Sequence, residues 1–268
     1  MVPVTPRQWV TRAAEALASA GADSPRLDAE LMLADAAGVD RAALVTRSEE
    51  ELPAEAAARA DEHLARRVER EPVAYILGRR AFRRIELFVD GRVLIPRPDT
   101  ELLVEVCLVE TPWGARVHEV GTGSGAVALA LRDERPDLIV SASERSPDAA
   151  EVARENAARL GVELAVAVLE GLPNEAFDLV VANLPYVRDH EWAGLEPEIT
   201  RYEPREALLG GPDGLREIRT LVSSAPPGTL VALEHAPDQA PAVRALLASA
   251  DTRRDLAGRE RATIGRTP

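Results

Sequence analysis

The sequence contains no lysine; all 32 of its basic residues are arginine. That removes Schiff-base catalysis, pyridoxal phosphate attachment and the lysine of a phosphate-binding loop. A single cysteine, Cys107, excludes an internal disulfide framework. The four histidines (His63, His118, His190 and His235) are scattered and have no second cysteine to join. No zinc spacing exists, so no metal site is expected. No apolar run approaches the roughly 20 residues that a membrane span needs. The opening MVPVTPRQWV has no basic-then-apolar leader pattern. The expectation is a cytoplasmic protein with no membrane partner. Aromatics make up only 3% of the chain, and the net charge is −13. A field of that sign repels nucleic acid, and no basic stripe stands out, so direct nucleic-acid binding is not expected.

What is present is an ordinary globular composition: 268 residues, 46% hydrophobic and 29% charged. That length allows one large domain or two modest ones. Residues 1–78 read as a helical unit. Trp9, Ala13, Ala16 and Leu17, then Leu27, Leu31 and Leu33, fall near a period of 3.6. Asp23-Ser24-Pro25 looks like a helix start, and Leu52-Pro53 opens another helix running to Val68. Residues 79–98 change character. Phe82, Ile85, Leu87, Val89, Val93 and Ile95 lie around Asp90-Gly91, which is a hairpin turn signal. Asp99 or Thr100 then caps a helix through Val109.

Across 99–268, strands and helices alternate. Strands are expected at Arg116–Val120, Leu138–Ala142, Glu163–Leu169, Phe177–Ala182 and Thr229–Glu234. Helices are expected at Ser124–Arg132, Pro147–Leu160, Gly214–Ser223 and Asp238–Ala250. The pattern is α/β: a mostly parallel sheet with helices on both faces and ligands at the carboxyl ends of its strands.

Three elements carry chemistry. Gly121-Thr122-Gly123-Ser124-Gly125 follows an apolar strand and opens an alanine-rich helix. Glycines there let the backbone turn sharply and approach a ligand. The loop lacks the Gly-Lys-Ser/Thr ending of a phosphate loop, and Thr122 and Ala126 stand where a serine nucleophile elbow needs glycines. Glu144 ends the next strand, 23 residues beyond Gly121. A carboxylate there can accept both ribose hydroxyl protons of an adenosine, a contact that NAD and S-adenosylmethionine both need. Asn183-Leu184-Pro185-Tyr186 follows the buried strand FDLVVA. A nicotinamide enzyme has no need of it, but a methylase acting on a planar NH2 group does. The Asn183 side-chain oxygen and the next backbone carbonyl can accept the two N–H bonds, which turns the nitrogen lone pair toward an incoming methyl. Pro185 stiffens the carbonyl's path, and Tyr186 can cover the planar group. This is catalysis by positioning and by acceptors for developing charge. It needs no lysine, histidine or metal.

Further blocks lie along the chain: Glu71–Gly78 (EPVAYILG), Leu94–Glu101 (LIPRPDTE), Tyr202-Glu203-Pro204-Arg205, Gly210–Gly214 (GGPDG) and Leu233-Glu234-His235. Together with the glycine loop and Asn183–Tyr186, these resemble, in one order over nearly the whole chain, the peptide chain release factor glutamine methyltransferases, the PrmC/HemK family. The resemblance implies a class I S-adenosylmethionine-dependent methyltransferase domain, Rossmann-like with a mostly parallel seven-stranded sheet. It also implies a small N-terminal helical domain that recognises the release factor. The implied reaction moves a methyl group to the side-chain amide nitrogen of the glutamine in the factor's Gly-Gly-Gln tip. By resemblance, Gly121–Gly125, Glu119, Glu144, Val168 and Asn183 hold the cofactor, Asn183–Tyr186 grip the glutamine, and Arg97 and Glu101 belong to the site roof. A monomer is the simplest arrangement.

The sequence departs from the family in three places. Leu184 replaces the first proline of the usual Asn-Pro-Pro-Tyr. Ala167, Val168 and Leu169 stand where an acidic residue and an aromatic are common near the adenine. Glu119 and Glu144 stand where Asp is common. Two other readings stay open. Asn-Leu-Pro-Tyr is also carried by rRNA adenine dimethyltransferases, so the alternative is an RNA or DNA amino-group methylase. A methylase fold that has lost its cofactor is the third.

Overall fold

The computed structural model describes residues 4–268. The chain divides into two compact units: Met1–Gly78 with Glu196–Tyr202, and Arg79–Leu195 with Glu203–Pro268.

The first unit contains α1 (Pro6–Ser19), α2 (Pro25–Ala37), α3 (Arg41–Thr46), α4 (Ala54–Val68) and α5 (Val73–Leu77). Thr5 and Gln8 form a capping box at the start of α1, with Pro6 in the first turn. Gly38 ends α2 in the left-handed conformation, with φ of 65°. Trp9, Ala13 and Leu17 line one face of α1 and pack with Met32 and Leu33 of α2 and Ala60 of α4. Trp9 is large and fully buried, so its Nε1–H needs a partner, and it donates to Asp61 at 2.8 Å.

Residues 196–202 fold with these helices although they are encoded far downstream. Arg67, only 6% exposed, donates from Nε to Asp28 at 2.8 Å and from Nη1 to Glu198 at 2.8 Å. Arg70 holds the other oxygen of Glu198 at 2.6 Å. Buried guanidinium groups need paired acceptors, and Glu198 supplies one to each.

The second unit begins with a hairpin, β1 (Arg79–Phe82) and β2 (Ile85–Phe88), with Phe82 opposite Ile85. Its turn is therefore Arg83-Arg84, with Arg83 at φ of 51°, and not the expected Asp90-Gly91. Asp90-Gly91 is a turn in the loop that follows. Asp90 accepts from the backbone N–H of Arg92, and Glu203 accepts from that of Ile95 at 3.2 Å. These side-chain acceptors occupy backbone donors that a second hairpin strand would need.

Then come α6 (Glu101–Glu110), β3 (Arg116–Val120), α7 (Ala126–Glu134), β4 (Ile139–Glu144), α8 (Pro147–Leu160), β5 (Ala165–Val168) and β6 (Leu179–Ala182). The short α9 (Pro197–Tyr202) belongs to the first unit, and α10 (Arg216–Ser224), β7 (Leu230–Glu234), α11 (Ala240–Ala245), β8 (Ser249–Arg254) and β9 (Glu260–Arg266) complete the chain.

The sheet has the order β5-β4-β3-β6-β7-β9-β8. Strands β3 to β7 are parallel, and β9 runs antiparallel to both β7 and β8. The seven-stranded, mostly parallel expectation holds. The expected helix Asp238–Ala250 is cut short, because Ser249–Arg254 pairs with β9 as an edge strand. All four residues of β6 are buried, which fits a central parallel strand covered on both faces. The order reverses between β3 and β6, and that switch opens a crevice at the carboxyl ends of the strands.

Candidate active site

A cavity of about 280 Å³ lies at this switch, near the lower end of the size range for small-molecule sites. All its lining residues belong to the second unit.

Its floor is the glycine loop after β3. The N–H groups of Gly121 and Thr122 both donate to Ser143 O, at 2.9 and 3.1 Å, which fixes the loop against β4. Gly121, Gly123 and Gly125 all have positive φ, at 72°, 54° and 85°. Gly125 precedes α7 and is packed: a Cβ there would lie 2.8 Å from Leu129 Cδ1. Gly123 is open: a Cβ there would meet no protein atom within 4 Å. Gly123 thus lines the cavity with bare backbone where a ligand can approach. Thr122 and Ser124 line the same floor.

Two carboxylates stand beside the loop. Glu144 accepts from the N–H groups of Gly123 and Ser146, both at 3.0 Å, and keeps lone pairs for a diol. Glu119 is buried beneath the loop. Its Oε2 accepts from the Thr122 hydroxyl at 2.6 Å and from Ala128 N–H at 2.9 Å. Burial pushes its carboxyl up to about 7. Glu119 reaches the cavity wall, but the contacts it makes brace the loop.

The far wall is Leu169, Glu170, Gly171 and Leu172. The expected Val168 is not part of it. Val168 closes β5, is 49% exposed and lies off the cavity. The strand ends there, and the next residues turn inward, so Glu170 supplies an acidic side chain that looked absent when the residues were counted from the strand. This wall is anchored from below. Ser143 Oγ donates to Gly171 O at 2.7 Å and lies 3.0 Å from His118 Nε2. Burial pulls His118 down to about 4, so the ring is neutral. With Ser143 giving its proton to Gly171, His118 must carry its proton on Nε2, and Nδ1 accepts from Ser141 at 2.8 Å.

The third wall is Asn183, Leu184 and Pro185, at the end of β6. Asn183 Nδ2 donates to Thr100 Oγ1 at 3.0 Å, which leaves Oδ1 for the cavity. Leu184 packs against the glycine loop; a Cβ on Gly121 would come 3.2 Å from its Cδ2. Gly210 and Gly214 of the GGPDG block lie under the same turn. A Cβ on Gly210 would be 2.4 Å from Pro185 O, and one on Gly214 2.2 Å from Tyr186 O. Only glycine fits this approach. Gln239 adds a bond to Tyr186 O at 2.9 Å.

Tyr186 does not line the cavity. Its hydroxyl donates to the buried Glu234 at 3.1 Å, so the ring faces away from the expected covering position. Arg97 lines the cavity and is paired with Glu203, which also holds Ile95 N–H. The LIPRPDTE and YEPR blocks thus meet through one buried carboxylate. Glu101 is not at the cavity; it accepts from the backbone N–H of Arg83 at 3.2 Å. Of the expected site residues, Gly121–Gly125, Glu119, Glu144, Asn183–Pro185 and Arg97 come together, and Val168, Tyr186 and Glu101 do not. Gly125 joins them as the hinge between the loop and α7. Among the described residues no group of three His, Cys, Asp or Glu side chains is placed to hold a metal ion. No helix among them is long and apolar enough to cross a membrane.

A backbone that can approach a ligand, a carboxylate at the next strand end and an asparagine at the third suit an adenosine-bearing cofactor beside a planar substrate group. With this sheet order they define a class I methyltransferase. Comparison with known proteins agrees. Residues 8–78 match a family profile described as the PrmC N-terminal domain, and residues 97–197 match the methyltransferase small domain. The chain is 42% identical over 275 residues to the release factor glutamine methyltransferase of Caulobacter vibrioides, covering 97% of this chain and 95% of that protein. It is 43% identical over 279 residues to that of Burkholderia pseudomallei, covering 96% of each. The solved hMettl16 catalytic domain in complex with MAT2A 3′UTR hairpin 6 shares the fold. It is 15% identical, with a TM-score of 0.54, over 76% of this chain and 80% of that one. The chain belongs to the release factor glutamine methyltransferase family.

Proposed function

We propose that this protein transfers a methyl group from S-adenosylmethionine to the side-chain amide nitrogen of the glutamine in the Gly-Gly-Gln tip of peptide chain release factors. When bound, S-adenosylmethionine supplies an electrophilic methyl group on a sulfonium. The residues present fit it: the bare backbone of Gly121–Gly125 for close approach, Glu144 for the ribose, and Leu169–Leu172 as the wall that takes the base.

A carboxamide nitrogen is a poor nucleophile because its lone pair is delocalised. Asn183 Oδ1 and the Leu184 carbonyl accept its two N–H bonds and hold the amide against the cavity. As positive charge develops on the nitrogen, both acceptors strengthen. Arg97, held by Glu203, closes the roof near the substrate. The observation that carries this reading is the orientation of Asn183, whose Nδ2 is already engaged by Thr100 so that the acceptor faces the cavity. The protein works as a monomer in the cytoplasm and does not bind nucleic acid.

The test is intact-mass analysis of a release factor after incubation with enzyme and S-adenosylmethionine. A gain of one methyl group is expected. A factor whose tip glutamine is replaced by alanine should gain none; equal labelling of both would falsify the glutamine assignment. Methyl transfer to RNA in place of the factor would support the amino-group methylase alternative.

A further inference from the structure

Two blocks singled out in the sequence, LIPRPDTE and LEH, are not exhausted by the site above. Each sends one side chain beneath Asn183. Asn183 follows β6 and Glu234 closes β7; Ala182 is paired with Leu233, so the next positions stand side by side. Thr100 is buried and accepts from Asn183 Nδ2 at 3.0 Å. It lies in the helical turn Pro98–Thr100 that runs into α6, and its side chain makes no capping bond. Accepting from Asn183 uses a lone pair and leaves its own proton to be given, and the Glu234 carboxyl is a group its hydroxyl acts upon. Glu234 is 1% exposed. Its Oε1 accepts from Tyr186, and its Oε2 has no partner of ordinary geometry.

An asparagine amide has two edges of nearly the same shape and opposite hydrogen-bonding sense. A methyl-accepting amide needs the acceptor edge. Thr100 alone cannot choose, because a hydroxyl both donates and accepts. An ionised Glu234 only accepts. It draws the Thr100 proton, and Thr100 is then left to accept from Asn183. We propose that Glu234 and Thr100 are positioning residues that set the flip of the Asn183 amide, with Nδ2 inward and Oδ1 toward the substrate. This inference rests on the amide-methylation reading.

A protonated Glu234 reverses the chain. It can donate to Thr100, and Thr100 then donates to Asn183 Oδ1, which turns the NH2 edge toward the substrate's own N–H. The groups that face Glu234 are Tyr186, Thr100, Arg261 and Asp99. Arg261 is itself paired with Asp99 at 2.9 Å. Burial raises the Glu234 carboxyl to about 7, against the hydrogen bonds from Thr100 and Tyr186 and the charge of Arg261.

The experiment uses the full chain, S-adenosylmethionine and a release factor, with Thr100→Val, Thr100→Ser and Glu234→Gln. Thr100→Val keeps the shape and loses the hydroxyl. It should lower kcat about tenfold to hundredfold, the scale for losing one well-placed hydrogen bond, with cofactor Kd within about threefold. Thr100→Ser should keep most of kcat. Wild-type kcat should fall as pH drops below about 7, and Glu234→Gln should lose that limb. Full kcat in Thr100→Val, equal damage in Thr100→Ser, or an acid limb that survives in Glu234→Gln would overturn the proposal. Hydrogen exchange of the Asn183 side-chain amide reads the flip without any turnover. It should be slow in wild type and fast in Thr100→Val. Equal exchange rates overturn the flip itself, whereas slow wild-type exchange without methylation of the factor overturns only the substrate reading.

Discussion

The two strand ends that make the site are neighbours in the sheet but are built in opposite ways. The loop after β3 is local. Its shape comes from three glycines with positive φ, and its anchors, Glu119 and Ser143, sit on the same strand and the next one. The turn after β6 is assembled from a distance. Thr100, Gly210, Gly214, Glu234 and Gln239 converge on Asn183–Tyr186 from four other segments. A backbone-built site tolerates changes around it and fails when its own residues change. A site built by remote contacts can be broken from places that never meet the ligand.

That contrast can be pressed experimentally. Asn183→Ala should lower kcat by about 10²–10³, the scale for losing one transition-state acceptor or donor, and leave cofactor affinity nearly intact. Loss of cofactor affinity with normal turnover at saturation would reverse the roles of the two strand ends. Gly214→Ala places a Cβ 2.2 Å from Tyr186 O, so thermal denaturation should show a loss of about 2–4 kcal/mol. Glu144→Ala should weaken S-adenosylmethionine binding about tenfold to hundredfold by calorimetry, the value of hydrogen bonds to a charged group. Gly123→Ala should weaken it about tenfold and cost about 1–2 kcal/mol of stability, because a non-glycine residue is strained at φ of 54° although no protein atom opposes the new methyl.

The last effect is one of pH. Glu119 is raised to about 7 by burial, above its unfolded value near 4.5. Its stabilising contribution is therefore complete below about 4.5 and fades as pH rises through about 7. Glu119→Gln, which cannot ionise, should gain stability relative to wild type across that window, on the order of 3 kcal/mol, and level off above it. A difference that stays flat with pH would place the proton elsewhere.

Much of this was legible in the sequence because it is local. β3 and α8 fall where the alternation of strands and helices put them. The glycine loop, Glu144 and Asn183 follow from spacing along adjacent strands. What was not legible depends on partners. Ser249–Arg254 has a polar, helix-compatible composition and becomes a strand only because β9 lies beside it. Val168 was placed by resemblance, and the wall begins one residue later. Thr100 reads as a helix cap, but the helical turn already begins at Pro98, so Thr100 lies inside it and its side chain meets Asn183 instead. Leu184 looks like a loss of stiffness, yet its packing on Gly121 supplies a constraint that proline would give through its ring. Nothing in residues 196–202 announces that they fold with helices more than a hundred positions upstream.

That last feature sets a limit on dissection. A gene fragment stopping at Gly78 encodes the helices but omits the carboxylate on which the enclosed Arg67 and Arg70 both lean. Such an excised piece would leave Arg67 with Asp28 alone and Arg70 without its carboxylate partners, and a chimaera that borrows these helices must import the downstream heptapeptide with them.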